Sequence, residues 1–211
     1  MSWGAYDDGQ PGLAQAITLA ETALVGARGL ESPRLQAELS IRLAYALAAS
    51  HDAMGCTAAI ARARGHIEQL AADDDPRWLY WVMPAWILVE AGDSLLLLGH
   101  ADQAAGMLDE GIALFDESFA RDRQIYLTHL ADALTRPGAQ RDLEAAADRG
   151  IAAIELAEGL DSALGVDLLR NLYHQMKPHN NVPAVRDFLA RAMDYEGVVK
   201  SGVAEISRQR F

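Results

Sequence analysis

The stretch Leu88–Phe115, LVEAGDSLLLLGHADQAAGMLDEGIALF, limits the fold more than any other part of the chain. Leu88, Ala91, Gly92, Leu95 and Leu98 recur every three or four positions, the period of one face of an α-helix. Gly99-His100 interrupts the run, and Ala104, Leu108, Gly111, Ile112 and Phe115 resume it. The pattern predicts two helices joined by a tight turn. Glycine inside a helix costs about 0.5–1 kcal/mol relative to alanine. Gly92 and Gly111 therefore predict points where another helix comes too close for a side chain. One such pair cannot bury its apolar face alone, so further pairs must stack on it.

The rest of the chain has the same period, with almost no alternation of the strand type. Pro11-Gly12 opens a helix to about Arg28. Ser32-Pro33 starts one that ends near Ser50, and Asp52 caps one that reaches about Leu70. Asp73–Pro76 predicts another start. Pro84 predicts either a kink or a short Arg77–Met83 helix followed by a new one. Further helices are expected over about 119–135 and 142–158. One capped by Asp161 should stop before Pro178, and the last, capped by Asn181, should span Val182–Tyr195. From Glu196 the period is lost, and 196–211 reads as a loosely structured tail. The small residues that close alternate helices, Ala23, Ala63, Gly111, Ala153 and Ala192, are separated by 40, 48, 42 and 39 residues. His51 stands where the Gly99 turn predicts glycine, and Gly138 supplies that glycine in the next pair.

Charge and composition exclude several classes. A net charge of −12 should keep the isolated chain off nucleic acid and anionic membranes. No apolar run approaches the roughly 18 residues of a membrane span, and Met1–Gln10 lacks a signal peptide's basic start and apolar core. Cys56 is the lone cysteine, so a reducing, cytoplasmic setting is expected. The six histidines show no i, i+4 pair suited to zinc, and there is no G-x-S-x-G elbow or glycine-rich phosphate loop. The expectation is a non-enzymatic protein with no metal and no cofactor. Trp78, Tyr80, Trp81 and Trp86 crowd into nine residues, and two or three of them are expected in the core around Pro84.

The steps from Leu88 through Gly92, Leu95, Gly99, Ala104, Leu108 and Gly111 resemble the tetratricopeptide repeat. That resemblance implies an all-α chain, a right-handed solenoid of about four to five antiparallel helix pairs, forming a single domain over 1–195. A narrower resemblance is carried by DDDPRWLYWVMPAW, AGDSLLLLGHADQAAGMLDEGIALF, ARDRQIYLTHLADAL and PHNNVPAVRDFLARAM. Over about 14–193 these look like the C-terminal repeat region of actinobacterial (Streptomyces-type) helix-turn-helix, XRE-like, transcriptional regulators. The chain opens inside a helix pair. It is therefore expected to be the later part of a longer protein whose upstream domain would carry any DNA binding.

In this repeat family the first helix of each pair lines a concave groove. Transferred by register, the lining here is Glu38, Ile41, Tyr45 and Ala49, then Trp86, Val89, Asp93 and Leu97, then Thr128, Asp132 and Arg136. Arg170 and Tyr173 are the approximate equivalents in the fourth pair. Tyr45, Trp86, Val89, Asp93, Thr128, Asp132, Arg170 and Tyr173 are the expected contacts for a peptide, small molecule or protein partner. The regulator resemblance also implies a homo-oligomer, since such repressors read paired half-sites. Arg121 and Arg123 sit at a helix start, where positive charge is unfavourable, and serve a partner or pair with Asp116, Glu117 and Asp122. A stand-alone adaptor that holds two protein partners is the competing expectation.

Overall fold

Side-chain caps set four of the helix starts among the described residues. In the structure, a computed structural model, residues 9–30, 32–69, 76–160 and 162–195 are described. Among them are nine α-helices and no strand. The helices are α1 (Gly9–Gly26), α2 (Pro33–Ala49), α3 (Ala53–Ile67), α4 (Pro84–Leu97) and α5 (Ala101–Ala113), followed by α6 (Ala120–Thr135), α7 (Leu143–Ala157), α8 (Ala163–Met176) and α9 (Pro183–Asp194). Ser32 Oγ accepts from the Leu35 N–H at 3.3 Å, and Pro33 takes the first position of α2, where a missing N–H costs nothing. Asp52 accepts from the Gly55 N–H at 2.8 Å, and Asp142 accepts from Glu144 and Ala145.

Several expected boundaries are corrected. Of the two expectations for Pro84 the second holds, with a shorter lead-in: a 3-10 turn at Arg77–Leu79 stands in place of the Arg77–Met83 helix, and α4 begins at Pro84 without a kink. The first helix starts at Gly9 and passes into a 3-10 turn at Ala27, and α3 stops at Ile67. Asn181 is not the cap of α9. Val182 is, because the residue before a proline is pushed to extended backbone, here φ −83° and ψ 127°. Ser162 caps α8 by accepting from Gly165 at 3.2 Å. The expected starts at Asp73–Asp75 and Asp161, and the tail 196–211, lie outside the described residues.

The turns after α2 and α4 are the same turn. After α2, the His51 N–H donates to the Ala48 carbonyl and the Asp52 N–H to that of Leu47, both at 2.9 Å. After α4, Gly99 donates to Leu96 at 3.0 Å and His100 to Leu95 at 2.9 Å. Both turns place one residue in the left-handed region, His51 at φ 60° and Gly99 at φ 82°, as this type of helix stop requires. Gly138 does not take that conformation; among the described residues Gly99 is the glycine that does.

The chain divides by its packing into two compact units, Met1–Leu114 and Phe115–Phe211, within the span that the periodicity reads as one array. In the first unit α2 packs on α1, α3 and α4, and α4 packs along α5. Leu95 and Leu108 are both buried, and Leu108 fills the space that Gly92 leaves open: a Cβ at Gly92 would lie 2.6 Å from Leu108 Cγ. In the second unit α6 packs on α7 and α8, and α7 on α9. Phe188, fully buried, presses on Gly150 so closely that a Cβ there would lie 2.6 Å from its ring. Burying a side chain of this size is worth about 1.5–3 kcal/mol.

Candidate functional site

In the first unit the facing sides of α2 and α4 meet through side chains rather than apolar packing alone. Arg42 donates to Glu38 Oε1 at 2.5 Å and to Glu90 Oε2 at 2.8 Å. The Trp86 indole N–H donates to Glu38 Oε2 at 3.0 Å. The Arg42 guanidinium stands 5.3 Å from the Trp86 ring centroid, a cation–π distance, and Trp81 meets Trp86 edge-on at 5.1 Å. Arg34 donates to the Val82 carbonyl at 2.5 Å. The bonds Arg34–Val82, Arg42–Glu90 and Glu38–Trp86 all join residues 48 apart, the gap that the sequence places between Ala63 and Gly111.

The expected lining residues of this unit fall into two groups. Tyr45, Trp86 and Asp93 are half-buried and reach the surface of the α2–α4 face. Val89 is fully buried, its Cγ1 only 2.7 Å from where a Cβ on Gly111 would stand, so it packs α4 on α5. Trp78 and Tyr80, expected partly in the core, are 62% and 71% exposed, while Trp81 and Trp86 are half-buried. Two of the four aromatics therefore face water.

The second unit carries a comparable face on α6 and α8. Asp132 pairs with Arg136 through two hydrogen bonds, Nε to Oδ1 at 3.1 Å and NH2 to Oδ2 at 2.8 Å. Gln175 of α8 donates to Asp132 Oδ1 at 2.6 Å and also reaches the Thr135 hydroxyl. The Asp132 hydrogen bond holds the Arg136 guanidinium above its ordinary pKa, against partial desolvation. Thr128 is buried and turns back to the Gln124 carbonyl at 2.9 Å, so it presents no group to a ligand. Arg170 pairs with Asp167 at 2.7 Å, and Tyr173 is half-buried with His174 edge-on at 5.4 Å. At the start of α6, Asp116 accepts from Ser118, and burial raises the pKa of Asp122 against the pull of Arg121. The Arg123 Nε is buried without a hydrogen-bond partner.

Among the described residues no three His, Cys, Asp or Glu side chains converge as metal ligands do, and no helix is long and apolar enough to cross a membrane. Register marks Glu38 as a lining residue, but nothing in the one-dimensional pattern singles out Arg42 and Glu90 as its neighbours, because charged residues on a helix face normally read as solvated.

No protein-family model matches the chain, and no curated protein matches it. Among solved structures the chain is similar to BtubC (BKLC) from P. vanneervenii. The TM-score is 0.61 at 18% identity, over 90% of this chain and 74% of that one. The fold is all-α and repeat-like. At that identity the likeness speaks to the fold alone.

Proposed function

We propose that this chain is a non-enzymatic tetratricopeptide-like recognition domain, a right-handed array of antiparallel helix pairs. It binds a peptide, small ligand or protein partner on its first-helix faces. The observation that carries the reading is the shared 48-residue offset of the α2–α4 bonds and of the two helix-ending turns. Equivalent residues of successive pairs meet one another, as stacked repeats require. On that frame Tyr45, Trp86 and Asp93 supply aromatic area, an indole and a carboxylate on one half-buried surface. Their chemistry favours a cationic or donor-rich ligand. We propose further that the domain lies downstream of a DNA-binding part and self-associates through its repeats, a reading supported by the sequence resemblance to helix-turn-helix regulators.

The test is a titration of the full chain with matched cationic and acidic peptides carrying one aromatic residue, followed by tryptophan fluorescence. A cationic peptide is expected to bind, and to lose about tenfold or more in affinity with Tyr45→Ala or Asp93→Asn, the range of an anchor contact. Met54→Ala, at an exposed site on α3, is expected to change nothing. Unchanged affinity in both face variants, each shown to be folded by circular dichroism, would overturn the assignment.

A further inference from the structure

The other side of α2 opens onto a shallow cleft of about 790 Å³ lined by residues of α1, the 3-10 turn that follows it, α2 and α3. At about 100° per residue, Ser40 and Leu43 of its lining lie roughly 140–160° around α2 from Glu38 and Tyr45. This cleft is therefore a different surface from the α2–α4 face. Its volume falls within the roughly 300–1,000 Å³ typical of small-ligand sites.

Three features give the cleft a chemistry. Its apolar wall includes Leu24 and Leu43. Among the described residues its lining includes three basic side chains, Arg28, Arg62 and His66, and one acidic one, Glu21. Among the described residues, Arg28, Arg62 and His66 make no side-chain hydrogen bond or ion pair, in a chain whose net charge is −12. Ser40 lines the cleft with its hydroxyl buried and without a hydrogen-bond partner. A buried hydroxyl left unmatched costs free energy that a bound acceptor or donor would recover.

We propose that this cleft is a binding site for an anionic amphipathic small molecule, one with a carboxylate, sulfonate or phosphate head on an apolar body. The head lies between Arg28 and Arg62, and the body lies along Leu24 and Leu43. The site is independent of the first-helix reading, and its failure leaves that reading untouched.

The probe is 1-anilinonaphthalene-8-sulfonate, with N-phenyl-1-naphthylamine as the same apolar body without the charge. Both are titrated by fluorescence into the full chain under conditions where circular dichroism shows it folded. The sulfonate is expected to bind saturably at one site and at least about tenfold more tightly than the neutral amine, the size of effect that charge complementarity gives. The Arg28→Gln/Arg62→Gln double variant is expected to lose that advantage. Arg64→Gln, at an exposed position on α3 outside the cleft, is expected to retain it. Absence of saturable binding, equal binding of the neutral amine, or an equal loss in Arg64→Gln would overturn the proposal. The comparison of the two probes needs no variant, so it decides even if the double variant fails to fold.

Discussion

Replacing Gly111 by alanine should destabilise the first unit, while the same change at Gly106, one and a half turns earlier on α5, should stabilise it. Both changes gain about 0.5–1 kcal/mol of helix propensity. At Gly106 nothing lies within 4 Å of the added Cβ, so the gain is kept. At Gly111 the Cβ would meet Val89 Cγ1 at 2.7 Å, Leu88 Cβ at 2.9 Å and the Val89 backbone nitrogen at 3.0 Å. The last two cannot rotate away, so α5 must move off α4. A gap of about 0.5–1 Å forfeits a quarter to a half of each dispersion contact across that interface. Overpacking of this kind costs about 1–3 kcal/mol. Net of propensity, Gly111→Ala should lose up to about 2 kcal/mol, and the two variants should differ by about 1–3 kcal/mol. Urea titration followed by tryptophan fluorescence isolates the relevant unit, because Trp3, Trp78, Trp81 and Trp86 all precede Leu114. Midpoints that shift equally in the two variants, at constant slope, would refute the close approach of α4 and α5.

Two further outcomes follow from single residues. Cys56 is fully buried, and burial pushes its thiol from 9.0 up to about 11. The native protein should resist a thiol reagent at pH 8 and react once unfolded, and its contribution to stability should be complete below pH 9 and fade as pH rises toward 11. A fast native reaction at pH 8 would contradict this. His51→Gly should raise the urea midpoint, since the left-handed conformation costs a non-glycine residue about 1–2 kcal/mol against a smaller entropic penalty for glycine. A lowered midpoint would show that the His51 side chain holds the turn in some other way.

Helix starts were legible wherever the signal is local. Ser32, Asp52 and Asp142 each carry the side-chain oxygen that caps the next turn, whereas Pro84, which the sequence leaves open between a kink and a start, takes the first position of α4. Asn181 misled because two local signals compete there, and the steric demand of Pro183 on Val182 outweighs a polar cap one residue earlier. On the candidate face, Tyr45 and Trp86 were found by register alone. Val89 and Thr128 share that register and are buried, because the width of the exposed stripe depends on how closely the neighbouring helix approaches. The bond between Arg42 and Glu90 spans 48 residues, a distance the pattern could suggest without saying which charges meet. The cleft beside Ser40 is shape left over between helices, and no residue type announces it.

The core of both units is built largely from alanines, Ala37, Ala44, Ala48, Ala59, Ala63, Ala104, Ala131, Ala146, Ala153 and Ala192 among them. This gives mutation an uneven effect. Truncation at such a site removes one methyl group, whereas enlargement must pry two backbones apart. Divergence should therefore be bounded from above in size. Chains descended from a common ancestor with this one should keep glycine, alanine, serine or cysteine at these points while leucine, isoleucine, methionine and phenylalanine exchange around them. Kinship would then be read more clearly in the spacing of the small residues than in overall identity.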